Sequence, residues 1–65
     1  MNLIVNGQNR EVVAETLAAL LAELDFQGGW LATALNGDVV PAGERDRCPL
    51  AEGDRIEVLS PMKGG

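Results

Sequence analysis

The chain has no histidine and a single cysteine, Cys48, among its 65 residues. One cysteine excludes a disulfide within the chain, and the lack of histidine removes the commonest protein ligand of transition metals, so we expect no zinc site. Aromatic residues are also scarce, with only Phe26 and Trp30, so the core must be aliphatic. The 5 basic residues against 10 acidic ones give a net charge of −5, which repels nucleic acid and anionic membrane surfaces.

The length of the chain fits one small domain. Such a domain buries roughly 60% of the surface that its unfolded chain exposes, so its stability is marginal and a deep active site has no room. The first residues contain no basic side chain and only a short apolar run, Leu3 to Val5, which matches neither a signal peptide nor a membrane span. We therefore expect a cytoplasmic protein.

Two Asn-Gly pairs predict hairpins, because this dipeptide tolerates the positive φ angles of tight turns. The predicted strand pairs are residues 3–5 with 10–13, and residues 31–35 with 39–40. Pro41 ends the fourth strand, since proline cannot donate a hydrogen bond to a neighbouring strand. A turn at residues 52–54 leads into the last predicted strand, residues 54–60.

One amphipathic helix is predicted between the two hairpins. Its apolar positions follow the spacing i, i+3, i+4 and i+7 and are Leu17, Leu20, Leu21 and Leu24. Alanines between them add helix propensity, and Thr16 can cap the first turn. The leucines must pack on a sheet, so the predicted order of elements is β-β-α-β-β-β.

The alternation of side chains in the first and last strands separates two faces of the sheet. The side chains expected to meet the helix are Leu3, Val5, Ile56 and Val58. Ile4 and Leu59 then point to the opposite face and are candidate residues for partner docking. Exposed apolar side chains are also common on ordinary surfaces, so the two interpretations carry equal weight.

The sequence ends in Gly64-Gly65, preceded by Pro61, Met62 and Lys63. Two glycines without a β-carbon let the terminal carboxylate enter a slot too narrow for any side chain. Pro61 is expected to release the tail from the last strand, and five extended residues span at most roughly 17 Å. Met62 is expected to anchor the tail in an apolar groove of a partner, and Lys63 to meet an acidic rim.

These segments together resemble the ThiS family, the bacterial sulfur carriers of thiamine biosynthesis. The resemblance covers essentially the whole chain and is carried by residues 3–7, 16–21, 34–41, 52–58 and 64–65. Its most specific segment is Leu-Asn-Gly-x-Val-Val-Pro, residues 35–41. It implies an α+β, ubiquitin-like β-grasp fold: a mixed sheet of about five strands, with the first and last parallel at its centre and one helix on one face. Residues 1–60 would form the domain and residues 61–65 a flexible tail.

The resemblance also implies a function for the tail. An E1-like adenylating enzyme of the ThiF type uses ATP to adenylate the carboxylate of Gly65, and AMP is then a good leaving group for a sulfur nucleophile. A sulfur donor such as a cysteine desulfurase system converts the adenylate to a thiocarboxylate, which supplies sulfur to a ThiG-type thiazole synthase. The carrier would be a recycled co-substrate, monomeric alone, with no bound cofactor and no catalytic residue. Gly64, Lys63 and Met62 would be recognised by the partners.

Two other functions fit the same pattern. A MoaD-like carrier for molybdopterin synthesis, or a ubiquitin-like protein modifier, would share the fold and the diglycine, and Pro61 resembles the tail of the molybdopterin synthase small subunit. A non-covalent β-grasp interaction domain with a merely flexible end belongs to a different class. Removing Gly65 separates the classes, because a carrier would lose all activity whereas a binding domain would keep its affinity.

Cys48 and Trp30 are the remaining residues with possible chemistry. A sulfur-handling protein could hold Cys48 as a persulfide, but only Arg45 and Arg47 nearby would lower its pKa, so a structural role is favoured. Trp30 is expected to cover an edge of the core.

Overall fold

The computed structural model describes residues 1–26 and 31–59. Its elements are β1 (Asn2–Val5), β2 (Gln8–Glu11), α1 (Leu17–Glu23), β3 (Ala32–Leu35), β4 (Asp38–Val40), a 3₁₀ helix (Ala42–Arg47) and β5 (Arg55–Leu59). The strands form one mixed sheet in the order β2-β1-β5-β3-β4. The central pair, β1 and β5, is parallel, and the other neighbours are antiparallel. The predicted order of strands and helix is therefore confirmed, as is the parallel central pair.

Both predicted Asn-Gly turns are present. Asn6 and Asn36 each have a φ of 51°, and the glycines that follow them have φ angles of 82° and 89°. These are left-handed conformations that asparagine and glycine adopt at low cost. The turns join β1 to β2 and β3 to β4 in antiparallel register, which sets the side-chain alternation of both hairpins.

Helix α1 begins as the sequence predicts and packs its leucines inward. The Thr16 hydroxyl accepts a hydrogen bond from the Ala19 amide at 3.2 Å, which satisfies one of the unpaired donors of the first turn. Leu17, Leu20 and Leu21 are buried, and Leu24 is half-buried against the same core. The i, i+3, i+4 spacing thus marks the face of the helix that covers the sheet.

The core is aliphatic, as the scarcity of aromatic residues predicts. Its buried members are Leu3, Val5, Val12, Ala14, Leu17, Leu20, Leu21, Leu31, Leu50, Ile56 and Val58. The β1 and β5 side chains in this set are the four expected to meet the helix. Leu50 enters the core from the connection before β5.

Residues 42–47 form the 3₁₀ helix, an element that the sequence did not predict. Two hydrogen bonds to other parts of the chain stabilise this 3₁₀ helix. The Arg45 guanidinium donates from Nε to the Thr33 hydroxyl at 3.0 Å and from Nη2 to the Leu31 carbonyl. The Glu44 amide also bonds to the Pro41 carbonyl at 2.9 Å. Contacts to Thr33 in β3 and to Leu31 just before it thus order a segment whose own sequence has no helical periodicity.

Several predictions fall outside the described residues. These are the positions of Trp30, Pro61, Met62, Lys63, Gly64 and Gly65, and with them the predicted boundary between domain and tail. Within residues 1–26 and 31–59, no helix has the length and apolar character needed to cross a membrane.

Candidate functional site

The candidate site is the C-terminal end of β5, because the chain continues from there to Gly65. On one side β5 pairs with β3, with Leu59 opposite Ala32. On the other side it pairs with β1, where the Ile4 amide bonds to the Asp54 carbonyl and the Asn6 amide to the Ile56 carbonyl, each at 2.9 Å. The strand that leads toward Gly65 is therefore fixed on both edges.

The Asn6 side chain extends this support beyond the end of β1. Its Oδ1 accepts the Val58 amide at 2.9 Å, and its Nδ2 donates to the Val58 carbonyl at 3.2 Å. This pair of hydrogen bonds is the Asn6 clamp. Sequence reasoning identified Asn6 only as a turn residue. One signal for this contact was available in the sequence: Asn6 is a turn residue at the end of β1, and β1 was expected to lie beside the last strand.

Asn36 makes a comparable contact at the opposite end of β5. Its Oδ1 accepts the Arg55 backbone amide at 2.9 Å, while the backbone amide of Asn36 donates to the Arg55 carbonyl at 2.8 Å. Its Nδ2 also donates to the Asp54 carboxylate at 3.1 Å. The two hairpin turns therefore hold the first and the fourth residue of the central strand.

The two predicted docking residues lie on the sheet face opposite the helix but are not neighbours. Leu59 is 66% exposed, whereas Ile4 is only half-buried rather than largely uncovered. Ile4 stands opposite Arg55 in the parallel pair, so four residues of β5 separate it from Leu59, about 13 Å along the strand. A surface around Leu59 and one around Ile4 are thus distinct.

Leu59 has apolar neighbours that the sequence did not identify. A shallow groove of about 100 Å³ is lined by Ala32, Thr33, Ala34, Val39, Glu57 and Leu59. Val39 is 80% exposed and stands opposite Ala34 in the β3–β4 pair. Adjacent residues of a strand point to opposite faces, so one of Val39 and Val40 had to face outward, and this was the signal in the sequence. The structure shows that Val40 is the partly buried one. We name Ala32, Ala34, Val39 and Leu59 the apolar patch.

Cys48 is half-buried beside the core, next to a hollow of about 460 Å³ that includes Glu44 and Arg47 in its lining. Burial raises the pKa of the Cys48 thiol, and the nearby Asp54 and Glu44 carboxylates raise it further. The Arg45 guanidinium donates to the Thr33 hydroxyl and the Leu31 carbonyl rather than to the thiol. The thiol therefore stays protonated near neutral pH, which disfavours nucleophilic chemistry and supports the structural role.

Several acidic side chains serve as acceptors for backbone amides. Glu52 accepts the Asn2 amide at 2.9 Å, and Asp54 accepts the Ala51 amide at 2.8 Å. Across residues 1–26 and 31–59, no cluster of three or more histidine, cysteine or acidic side chains could hold a metal ion.

Comparisons with known proteins agree with this geometry. The model of the ThiS family matches residues 3–65. The sulfur carrier protein ThiS of Thermus thermophilus is 33% identical over 61 residues, which are 94% of this chain and 95% of that protein.

Two solved structures share the fold. The crystal structure of the thiamine biosynthesis protein ThiS from Geobacter metallireducens has a TM-score of 0.84 and 36% identity, with full coverage of both chains. A solution structure of a thiamine biosynthesis protein from the same organism has a TM-score of 0.82 and 32% identity, and covers 100% of this chain and 88% of that one. The chain thus has the ubiquitin-like β-grasp fold and belongs to the ThiS family.

Proposed function

We propose that this chain is a sulfur carrier of thiamine biosynthesis and that the carboxylate of Gly65 carries the sulfur. The observation that supports this most strongly is the family match, which runs through Gly65 and so includes the diglycine. The fixed central strand β5 supports it further, because it gives the terminal segment a rigid starting point. The named relatives are sulfur carrier or thiamine biosynthesis proteins.

The chemistry follows from the weakness of a carboxylate as an electrophile. The Gly65 carboxylate attacks the α-phosphorus of ATP in an E1-like, ThiF-type enzyme, and pyrophosphate leaves. A sulfide-level nucleophile from a sulfur donor then attacks the acyl carbon, AMP leaves, and a thiocarboxylate forms. A ThiG-type thiazole synthase takes the sulfur, and the carrier returns to the carboxylate.

In this scheme the chain is a recycled co-substrate and not an enzyme. ATP is bound by the adenylating partner, so the carrier needs no cofactor of its own. Gly64 is small enough for a narrow channel in the partner. Met62 and Lys63 are the side chains nearest to the diglycine, and the partner contacts them when it binds Gly65. Gly65 is the only residue that takes part in bond making.

The adenylating enzyme also docks on the apolar patch. Leu59 is the last described residue of β5, and residues 60–65 span at most roughly 20 Å. A partner that holds Gly65 in its active site must therefore lie close to Leu59. Val39 and Leu59 together offer exposed apolar side chains for it to cover. Ile4 stands opposite Arg55, about 13 Å along the strand from Leu59, and so lies outside the patch.

Leu59→Asp tests the docking surface, with Val13→Asp as its control. Val13 is an apolar side chain with 86% exposure that lies in the connection between β2 and α1. We expect Leu59→Asp to raise the KM for the carrier at least about tenfold, since a carboxylate loses hydration in an apolar contact. Equal KM values for the two variants would contradict docking at the patch.

Intact-mass measurement tests the function. The chain is incubated with ATP, a sulfur donor and either a thiamine-type or a molybdopterin-type activating enzyme. We expect one oxygen to be replaced by one sulfur only with the thiamine-type enzyme, and no change in a chain that lacks Gly65. Modification only by the molybdopterin-type enzyme would assign the other pathway, and no modification by either would contradict a carrier role.

A further inference from the structure

The parallel pairing of β1 and β5 stops where the chain turns at Asn6, although β5 continues to Leu59. The pairing up to this point follows the regular alternation, with Ile4 bonded to Asp54 and Asn6 to Ile56. If β1 continued straight, the next bonds would join the Val58 amide to the carbonyl of residue 6, and the Val58 carbonyl to the amide of residue 8. The left-handed turn at Asn6 removes both partners.

The Asn6 clamp replaces both missing bonds with one side chain. Oδ1 accepts the Val58 amide at 2.9 Å, where the backbone carbonyl of Asn6 would have stood, and Nδ2 donates to the Val58 carbonyl at 3.2 Å. A carboxamide carries its acceptor and its donor on two separate atoms, so one side chain can bond both the amide and the carbonyl of the same residue. The sheet thereby holds β5 one residue pair further than the backbone of β1 reaches.

We propose that Asn6 is a positioning residue for the C-terminal segment: its carboxamide holds Val58 in the sheet and so fixes the point from which residues 60–65 start. This role rests on the proposed sulfur-carrier function. Without the clamp, the last two residues of β5 would keep only their pairing with β3. The partner would then have to order additional backbone when it binds the tail, and that entropy cost weakens binding.

Asn36 supplies a matched control within the same chain. It has the same φ of 51°, precedes a glycine in the same kind of turn, and also accepts a β5 amide through Oδ1. Its contact lies at Arg55, the first residue of β5, far from the tail. Asn6→Gly and Asn36→Gly each remove a carboxamide from a position whose φ suits glycine, so neither introduces backbone strain.

The experiment compares these two variants as substrates of the activating enzyme. We expect Asn6→Gly to raise the KM about tenfold, the effect of ordering roughly one extra residue on binding, with kcat unchanged because the bound carboxylate is the same. Asn36→Gly should stay within about twofold of the wild type. Asn6→Asp, which keeps the acceptor but loses the donor, should fall between them.

Hydrogen exchange measured in parallel shows where each variant loosens. The Val58 amide should exchange faster in Asn6→Gly, and the Arg55 amide faster in Asn36→Gly. Equal KM values in the two glycine variants, or a loss of kcat without a change in KM, would overturn the role of Asn6 while an active wild type leaves the carrier function standing. A wild-type chain that no activating enzyme modifies would instead contradict the carrier function, and the role of Asn6 would fall with it.

Discussion

Glu23 offers a prediction in which two physical effects have opposite signs. It is the last residue of α1, where a carboxylate meets the negative end of the helix dipole, and glutamate has a lower helix propensity than alanine. These two effects alone predict that Glu23→Ala stabilises the protein by about 0.5 to 1 kcal/mol.

The hydrogen bonds of the Glu23 carboxylate predict the reverse. Oε1 accepts the Ala14 amide at 2.9 Å, and both oxygens share the Val13 amide at 3.1 and 3.2 Å. Hydrogen bonds to a charged group contribute about 1.5 to 3 kcal/mol when shielded, and less at this exposed position. Two amides held at about 1 kcal/mol or more each outweigh the helix effects, so the net loss is about 1 to 2 kcal/mol.

Thermal and urea unfolding followed by circular dichroism measure the sign. For a domain of this size the predicted loss lowers Tm by roughly 5 to 15 °C. Glu23→Gln keeps one acceptor oxygen but loses the other and the charge, so its Tm should lie between those of the wild type and Glu23→Ala. An unchanged or raised Tm in Glu23→Ala would show that the connection between β2 and α1 does not depend on this carboxylate.

Three further predictions concern the core, the 3₁₀ helix and the thiol. Leu20→Ala should lose about 2 to 5 kcal/mol of unfolding free energy in urea titrations, because Leu20 is fully buried. Leu24→Ala should lose clearly less, because Leu24 is only half-buried. Equal losses in the two variants would contradict this packing. Arg45→Lys should lose about 1 kcal/mol or more, since lysine lacks the guanidinium fork, whereas the exposed Arg47→Lys should be neutral. At pH 8, iodoacetamide should alkylate Cys48 more slowly than an unfolded peptide thiol, because the raised pKa of Cys48 leaves less thiolate. The variant Cys48→Ser should keep full carrier activity. Rapid alkylation of Cys48, or an inactive Cys48→Ser variant, would refute the structural role.

The elements predicted best from the sequence are those fixed by neighbouring residues. The leucine spacing of α1, its Thr16 cap and the two Asn-Gly turns are set within a few residues, so periodicity and turn chemistry identify them. The 3₁₀ helix was missed because its anchor is Arg45, whose partners are Thr33 in β3 and Leu31 just before it. No local pattern reports such a distant contact.

The candidate site shows the same division. Alternation placed Leu59 on the face opposite the helix, and the structure confirms its exposure. It did not show that Ile4 stands beside Arg55 or that Val39 shares a groove with Leu59, because both depend on strand register. The Asn6 clamp joins residues 52 positions apart in sequence, which no reading of the Asn-Gly turn alone could find.

The location of the transferred sulfur distinguishes a carrier with a terminal thiocarboxylate from one with a cysteine persulfide. The chain is incubated with ATP, isotopically labelled sulfur from a cysteine desulfurase system and the thiamine-type activating enzyme, and is then fragmented in the mass spectrometer. We predict that the label is on C-terminal fragments that contain Gly65 but not Cys48. It should be absent from N-terminal fragments that contain Cys48 but not Gly65. Label on Cys48, or none on Gly65, would contradict the assignment of Gly65 as the site of sulfur attachment.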